Sequence, residues 1–137
     1  MSRTLGQKRA EYCLEMLKNL NCDNKKEFKA LSAGLPAMIM QNGFGQTLAF
    51  LLAKGKDKHK DKHNEAFKII ALWLAQRNLI DMKQQPTEIL MQLSKDEQIK
   101  ILMQISNMEQ TTYLQAQKET LAMLEWLKRY ANAELFT

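Results

Sequence analysis

Valine is absent from all 137 residues, and there are only five glycines and two prolines. Strands favour β-branched side chains and all-β folds need frequent turns, so these shortages exclude a sandwich or barrel. The residues that dominate instead (Leu, Met, Ala, Gln, Lys and Glu) keep most of their rotamer freedom in a helix. Two cysteines, Cys13 and Cys22, are too few for a disulfide framework. Cys13 falls on an apolar stripe with Leu5, Met16, Leu17 and Leu20 and reads as a small core residue, while Cys22 lies in the following turn. The apolar runs, such as residues 48–53 and residues 69–75, are far below the ~20 residues of a membrane span, which predicts no membrane partner. The start, Met-Ser-Arg-Thr-Leu-Gly-Gln-Lys-Arg, has no apolar stretch of the kind a secretory leader carries, so a cytoplasmic protein is expected.

What is present suits one packed domain. Hydrophobic residues make up 45% and charged residues 26%, a balance that supports a core and argues against disorder. The expected architecture is all-α: a single helical domain over residues 1–137, a compact bundle of roughly five to seven helices with one long C-terminal helix. A first helix is predicted over residues 3–20. Asn24 with Glu27 resembles a capping box and opens a short helix to Ala33, which Gly34 would end before Pro36 starts another. That helix stops at Asn42-Gly43, and Gly45-Gln46-Thr47 opens the next, over residues 48–54. A charged loop follows, then a central helix over residues 64–77 with apolar residues on most of its surface. Pro86 begins a short helix ending near Leu93. Ser94 and Glu97 form a capping box, and with no Gly or Pro beyond it one helix is expected over residues 95–131. Its packing positions would include Ile99, Leu102, Leu114, Leu121, Leu124 and Leu127.

Charge is unevenly distributed. The net charge is +5, but residues 1–63 carry twelve Lys/Arg against six Asp/Glu, while residues 64–137 carry eight against nine. Such asymmetry favours a polyanion partner. The basic residues fall into clusters: Arg3, Lys8 and Arg9; Lys25, Lys26 and Lys29; Lys54, Lys56, Lys58, Lys60 and Lys62; and the pair Lys128-Arg129. If the first and fourth helices packed together, Arg3, Lys8 and Arg9 would lie beside Lys54, Lys56 and Lys58 and form a positive track for phosphates. Scattered solvated lysines are the simpler alternative.

Catalytic and metal chemistry find little support. His59 and His63 have the i, i+4 spacing of a helical metal pair, but Lys60 stands where a zinc protease has Glu and further ligands are lacking, so no metal is expected. Glu11 and Glu15 share a helix face with Lys8, Arg9 and Lys18, which suits surface ion pairing better than acid–base work. The Gly43-Phe44-Gly45 turn lacks the remaining residues of a phosphate-binding fingerprint, although a helix start after it could hold one phosphate. No cofactor and no enzymatic activity are expected. The Gln- and Met-rich stretch from Met82 to Gln117, including Met103, Gln104 and Met108, suits an adaptable protein interface.

Three segments carry a family likeness: Gln7 to Cys13 (QKRAEYC), Phe28 to Leu31 (FKAL) and Gly34 to Lys54 (GLPAMIMQNGFGQTLAFLLAK). The last is similar to the small-subunit family of the type III-B (Cmr) CRISPR effector complex, with Pro36, Asn42, Gly43, Gly45 and Gln46 as its motif positions. Trp73-Leu74 also fits, while beyond residue 77 only helical character agrees. The resemblance implies a non-catalytic subunit in antiviral defence, with copies of itself stacked in a minor filament beside the backbone and large subunits. It further implies help in holding guide RNA and target RNA through basic surface, with cleavage and nucleotide chemistry belonging to the neighbouring subunits. A structural adaptor without RNA contact, and a stand-alone helical nucleic-acid binder, are the alternatives.

Overall fold

The computed structural model describes residues 2–56, 61–82 and 93–136. Among them are six helices and no strand: α1 (Leu5–Lys18), α2 (Lys25–Asn42), α3 (Phe44–Gly55), α4 (Lys62–Gln76), α5 (Lys95–Ser106) and α6 (Gln110–Asn132). The expected helix after Pro86, and most of the charged loop, lie outside the described residues.

Helix starts follow their local chemistry. Thr4 caps α1 in a reciprocal box with Gln7, Asn24 accepts from the Glu27 amide at α2, and Ser94 and Glu97 form the box predicted at α5. Asp61 caps α4 by accepting from the amides of His63 and Asn64.

α4 is the central element. Every residue from Asn64 to Leu74 is buried, as its broad apolar arc suggests. α1 runs antiparallel to it: the Tyr12 hydroxyl donates to the Ile69 carbonyl, its ring lies 4.8 Å from that of Trp73, and the Asn21 amide donates to Glu65 at 3.2 Å. α6 lies parallel to α1 and antiparallel to α2, fixed by Arg9–Glu119 at one side and Lys29–Glu134 at the other. Phe28, Leu35, Ile39, Phe44, Leu48, Leu51, Met123 and Leu124 complete the core with α4.

Two boundaries differ from expectation. α2 is continuous through Gly34 and Pro36, where two helices were predicted. Phe28, Ser32, Leu35 and Ile39 form one buried stripe that crosses the proline. Packing along that stripe outweighs the ~3 kcal/mol penalty of an interior proline. The predicted helix over residues 95–131 is instead divided into α5 and α6. Asn107 ends α5: its side-chain amide donates to the Met103 carbonyl at 2.8 Å, a bond that competes with helix propagation. The break resets the register. Ile99 and Leu114, expected in the core, are 56% and 52% exposed, while Ile101, Ala116 and Thr120 are buried.

Candidate nucleic-acid interface

The antiparallel α1–α4 arrangement decides where the basic residues go. Arg3, Lys8 and Arg9 lie at the start of α1, level with the end of α4 around Trp73. Lys54 and Lys56 lie at the end of α3, next to the start of α4, where the Asn64 side chain closes on Gly55. The predicted fourth helix corresponds to α3, which packs on α4 and α2 rather than on α1; because α1 lies head to tail with α4, the two sets occupy opposite ends of the bundle. Lys58 is outside the described residues.

Their local environments differ as well. Arg3 pairs with Glu11 at 2.8 Å on the surface. Arg9 is a structural group: Nε and Nη2 donate to the two Glu119 oxygens at 2.8 and 2.9 Å, and the Trp73 indole donates to the same carboxylate at 3.0 Å. The Arg9 hydrogen bonds, reinforced by that of Trp73, hold the Glu119 carboxyl below the ordinary range despite burial. Lys8 is exposed. Lys54 is exposed and stands 5.9 Å above the Phe50 ring, and Lys56 is exposed at a left-handed turn, φ 43°.

The glycine turn is explained by packing. Gly43 has φ 93° and ψ 158°, a conformation open essentially to glycine alone. The Gly45 amide donates to the Tyr113 hydroxyl at 2.9 Å, and a Cβ there would meet that oxygen at 3.3 Å. Asn42 and Gln46 are exposed on either side, and Pro36 is half-buried within α2. A donor available to phosphate is thus already committed to α6. His63 Nδ1 lies 3.0 Å from Asp61, His59 is not among the described residues, and no group of three metal-binding side chains occurs among those described.

The structure does unite two clusters that are a hundred residues apart in sequence. Lys26 and Lys29 on α2 face Lys128 and Arg129 on α6 across a groove of about 620 Å³ that Ala30 and Ala33 also line. α2 and α6 are antiparallel, so the early lysines meet the late pair. The small side chains of Ala30 and Ala33 leave room between the cations. Lys29 pairs with Glu134 at 2.9 Å, which draws the Glu134 carboxyl below its ordinary range, and Lys128 reaches Glu125 at 3.4 Å. Both clusters are visible in the sequence, but their juxtaposition depends on the direction of α6. The missed break at Asn107 removed the register needed to infer it.

Apolar side chains are exposed elsewhere. Met40, Ile99, Met103 and Leu114 are each more than half exposed, and Gln104 exchanges two hydrogen bonds with the Asp81 backbone, at 2.7 and 2.8 Å. No helix among the described residues is long and apolar enough to cross a membrane.

Comparison with known proteins agrees with this architecture. The chain is 28% identical over 132 residues to the Cmr subunit Cmr5 of a CRISPR system from Thermus thermophilus, covering 96% of this chain and 93% of that protein. It is 26% identical to the Cmr5 subunit of Thermotoga maritima, covering 93% and 81% respectively. The crystal structure of a CRISPR-associated Cmr5 family protein from Thermus thermophilus superposes with a TM-score of 0.66 at 23% identity, over 96% of this chain and 97% of that one, which shows a shared fold. The model of the CRISPR-associated Cas_Cmr5 family matches residues 5–134, and the chain belongs to that family.

Proposed function

We propose that this chain is a non-catalytic small subunit of a type III-B Cmr ribonucleoprotein. In this reading it lies in the minor filament with copies of itself, beside the backbone and large subunits, and its basic surface helps retain guide RNA and target RNA. The observation that carries the proposal is the family match across residues 5–134. The exposed Lys8, Lys54 and Lys56, together with the cationic α2–α6 groove, support the RNA contact, because phosphate neutralisation supplies most sequence-independent affinity. The exposed Met40, Ile99, Met103 and Leu114 suit contacts with other subunits. A stand-alone reader of DNA grooves is disfavoured, since α4, the candidate recognition helix, is buried from Asn64 to Leu74.

The test uses the assembled complex. Lys8→Glu and Lys54→Glu, separately and together, are expected to reduce co-purifying RNA and flatten the salt dependence of RNA binding while the thermal melt of the subunit is unchanged. Arg9 is kept, because its reversal would set a second carboxylate against Glu119. Normal RNA retention by the double variant in a complete complex would remove Lys8 and Lys54 from the RNA-binding surface. A salt-independent interaction would favour an adaptor without RNA contact.

A further inference from the structure

We infer that the α2–α6 groove is an RNA-phosphate site in which the Glu134 carboxylate occupies the place of a phosphate and is exchanged for it on binding. The inference rests on the RNA-holding reading above and specifies where RNA is gripped and how that grip is controlled.

Three features converge. First, the groove gathers four cations from two helices, Lys26, Lys29, Lys128 and Arg129, around one carboxylate, Glu134. Lys29 is paired with Glu134 and Lys128 with Glu125, so the positive surplus of the groove resides in Lys26 and Arg129. Second, Lys25 and Lys26 stand in the first turn of α2, where the helix dipole is already positive, while Glu27 in the same turn is paired with Lys62. Cations there oppose the local rule for helix stability, and together with the dipole they raise the potential offered to an anion. Third, an anionic group is already seated: Glu134 reaches Lys29 at 2.9 Å, and the next turn is tied down by Lys25 Nζ donating to the Phe136 carbonyl at 2.8 Å. Glu134 adopts a left-handed conformation, φ 54°, just after α6 ends. That conformation is disfavoured for a non-glycine residue and persists where surrounding contacts hold it. Residues 133–136 thus form a short strap whose carboxylate screens the groove. A phosphate of a bound strand would take over Lys29 and gain Lys26 and Arg129, while Glu134 turns out to solvent. No covalent step is involved.

The experiment measures binding of a labelled single-stranded RNA to the assembled complex across a salt series, with three variants of this subunit. Glu134→Gln removes the competing charge and should tighten binding about two- to fivefold, the scale of an exposed ion pair. Lys26→Glu with Arg129→Glu should weaken binding and reduce the magnitude of the logarithmic salt slope by about 0.7 for each phosphate that is no longer neutralised. Lys8→Glu, at the other end of the bundle, provides the reference for basic surface outside the groove. If the groove reversals weaken binding but Glu134→Gln does not tighten it, the exchange is overturned and the RNA-holding reading stands. If the reversals leave RNA binding intact while Lys8→Glu weakens it, the groove is not the site. Loss of the subunit from the complex on groove reversal, with the melt unchanged, would identify a protein interface there and overturn the inference.

Discussion

Glu119 illustrates how one residue can organise three helices: it accepts from Arg9 on α1 and Trp73 on α4 while standing on α6. Its ionised form is favoured in the folded protein, chiefly by the Arg9 bonds, so its carboxyl titrates below the unfolded value. The resulting stabilisation is complete above the ordinary carboxylate value of about 4.3 and disappears as pH falls through the lower folded value. Melting temperatures measured from pH 7 down to about 3 should therefore fall more steeply for the natural chain than for Glu119→Gln. At neutral pH that variant should be less stable by about 1–3 kcal/mol in denaturant unfolding. The cysteines separate by environment. Burial pushes the Cys13 thiol up to about 12, whereas Cys22 is half-exposed. A thiol reagent should label Cys22 slowly in the native protein and reach Cys13 only after unfolding.

At the scale of elements, α2 and α4 show packing overriding or completing local preference. Pro36 lacks the amide that would bond to the Ser32 carbonyl within α2, yet the stripe from Phe28 to Ile39 holds the helix together. Pro36→Ala should restore that bond and stabilise the protein by about 1–2 kcal/mol in thermal or urea unfolding, the interior penalty being partly offset by a more flexible unfolded chain. α4 carries a buried ion pair, Glu65–Lys68 at 3.0 Å, whose carboxylate also accepts from the Asn21 amide and so anchors the α1–α2 turn. Glu65→Ala leaves Lys68 buried and uncompensated, and a loss of about 3–5 kcal/mol is expected in the same assay. The α5–α6 break follows the opposite logic. Asn107 supplies a local competing bond, and no buried stripe runs through residues 106–109 to suppress it.

At the scale of the whole molecule, the antiparallel pairing of α1 with α4 places Lys8 and Lys54 at opposite ends. Their charge reversals should therefore add, with the double variant's loss in RNA-binding free energy matching the sum of the singles within about 0.5 kcal/mol. Helix type and the starts of α2 and α5 were legible in the sequence because they depend on residues three or four positions apart, as at Asn24–Glu27 and Ser94–Glu97. The Gly34 to Lys54 run was equally informative. Leu35, Ile39, Phe44, Leu48 and Leu51 are buried at the α2–α3 corner, and Gly43 and Gly45 supply its turn and its close approach to Tyr113. The basic groove was not legible as a site. Lys26 and Lys29 meet Lys128 and Arg129 only because α6 returns antiparallel along α2 after the break at Asn107. The sequence by itself therefore determined the helical class, those helix starts and which residues carry charge, since these follow from local hydrogen bonding and composition. Tertiary structure alone decided which charges share a surface and which, like Arg9, are committed to the interior, because helix direction is set by the burial of apolar stripes remote from those charges.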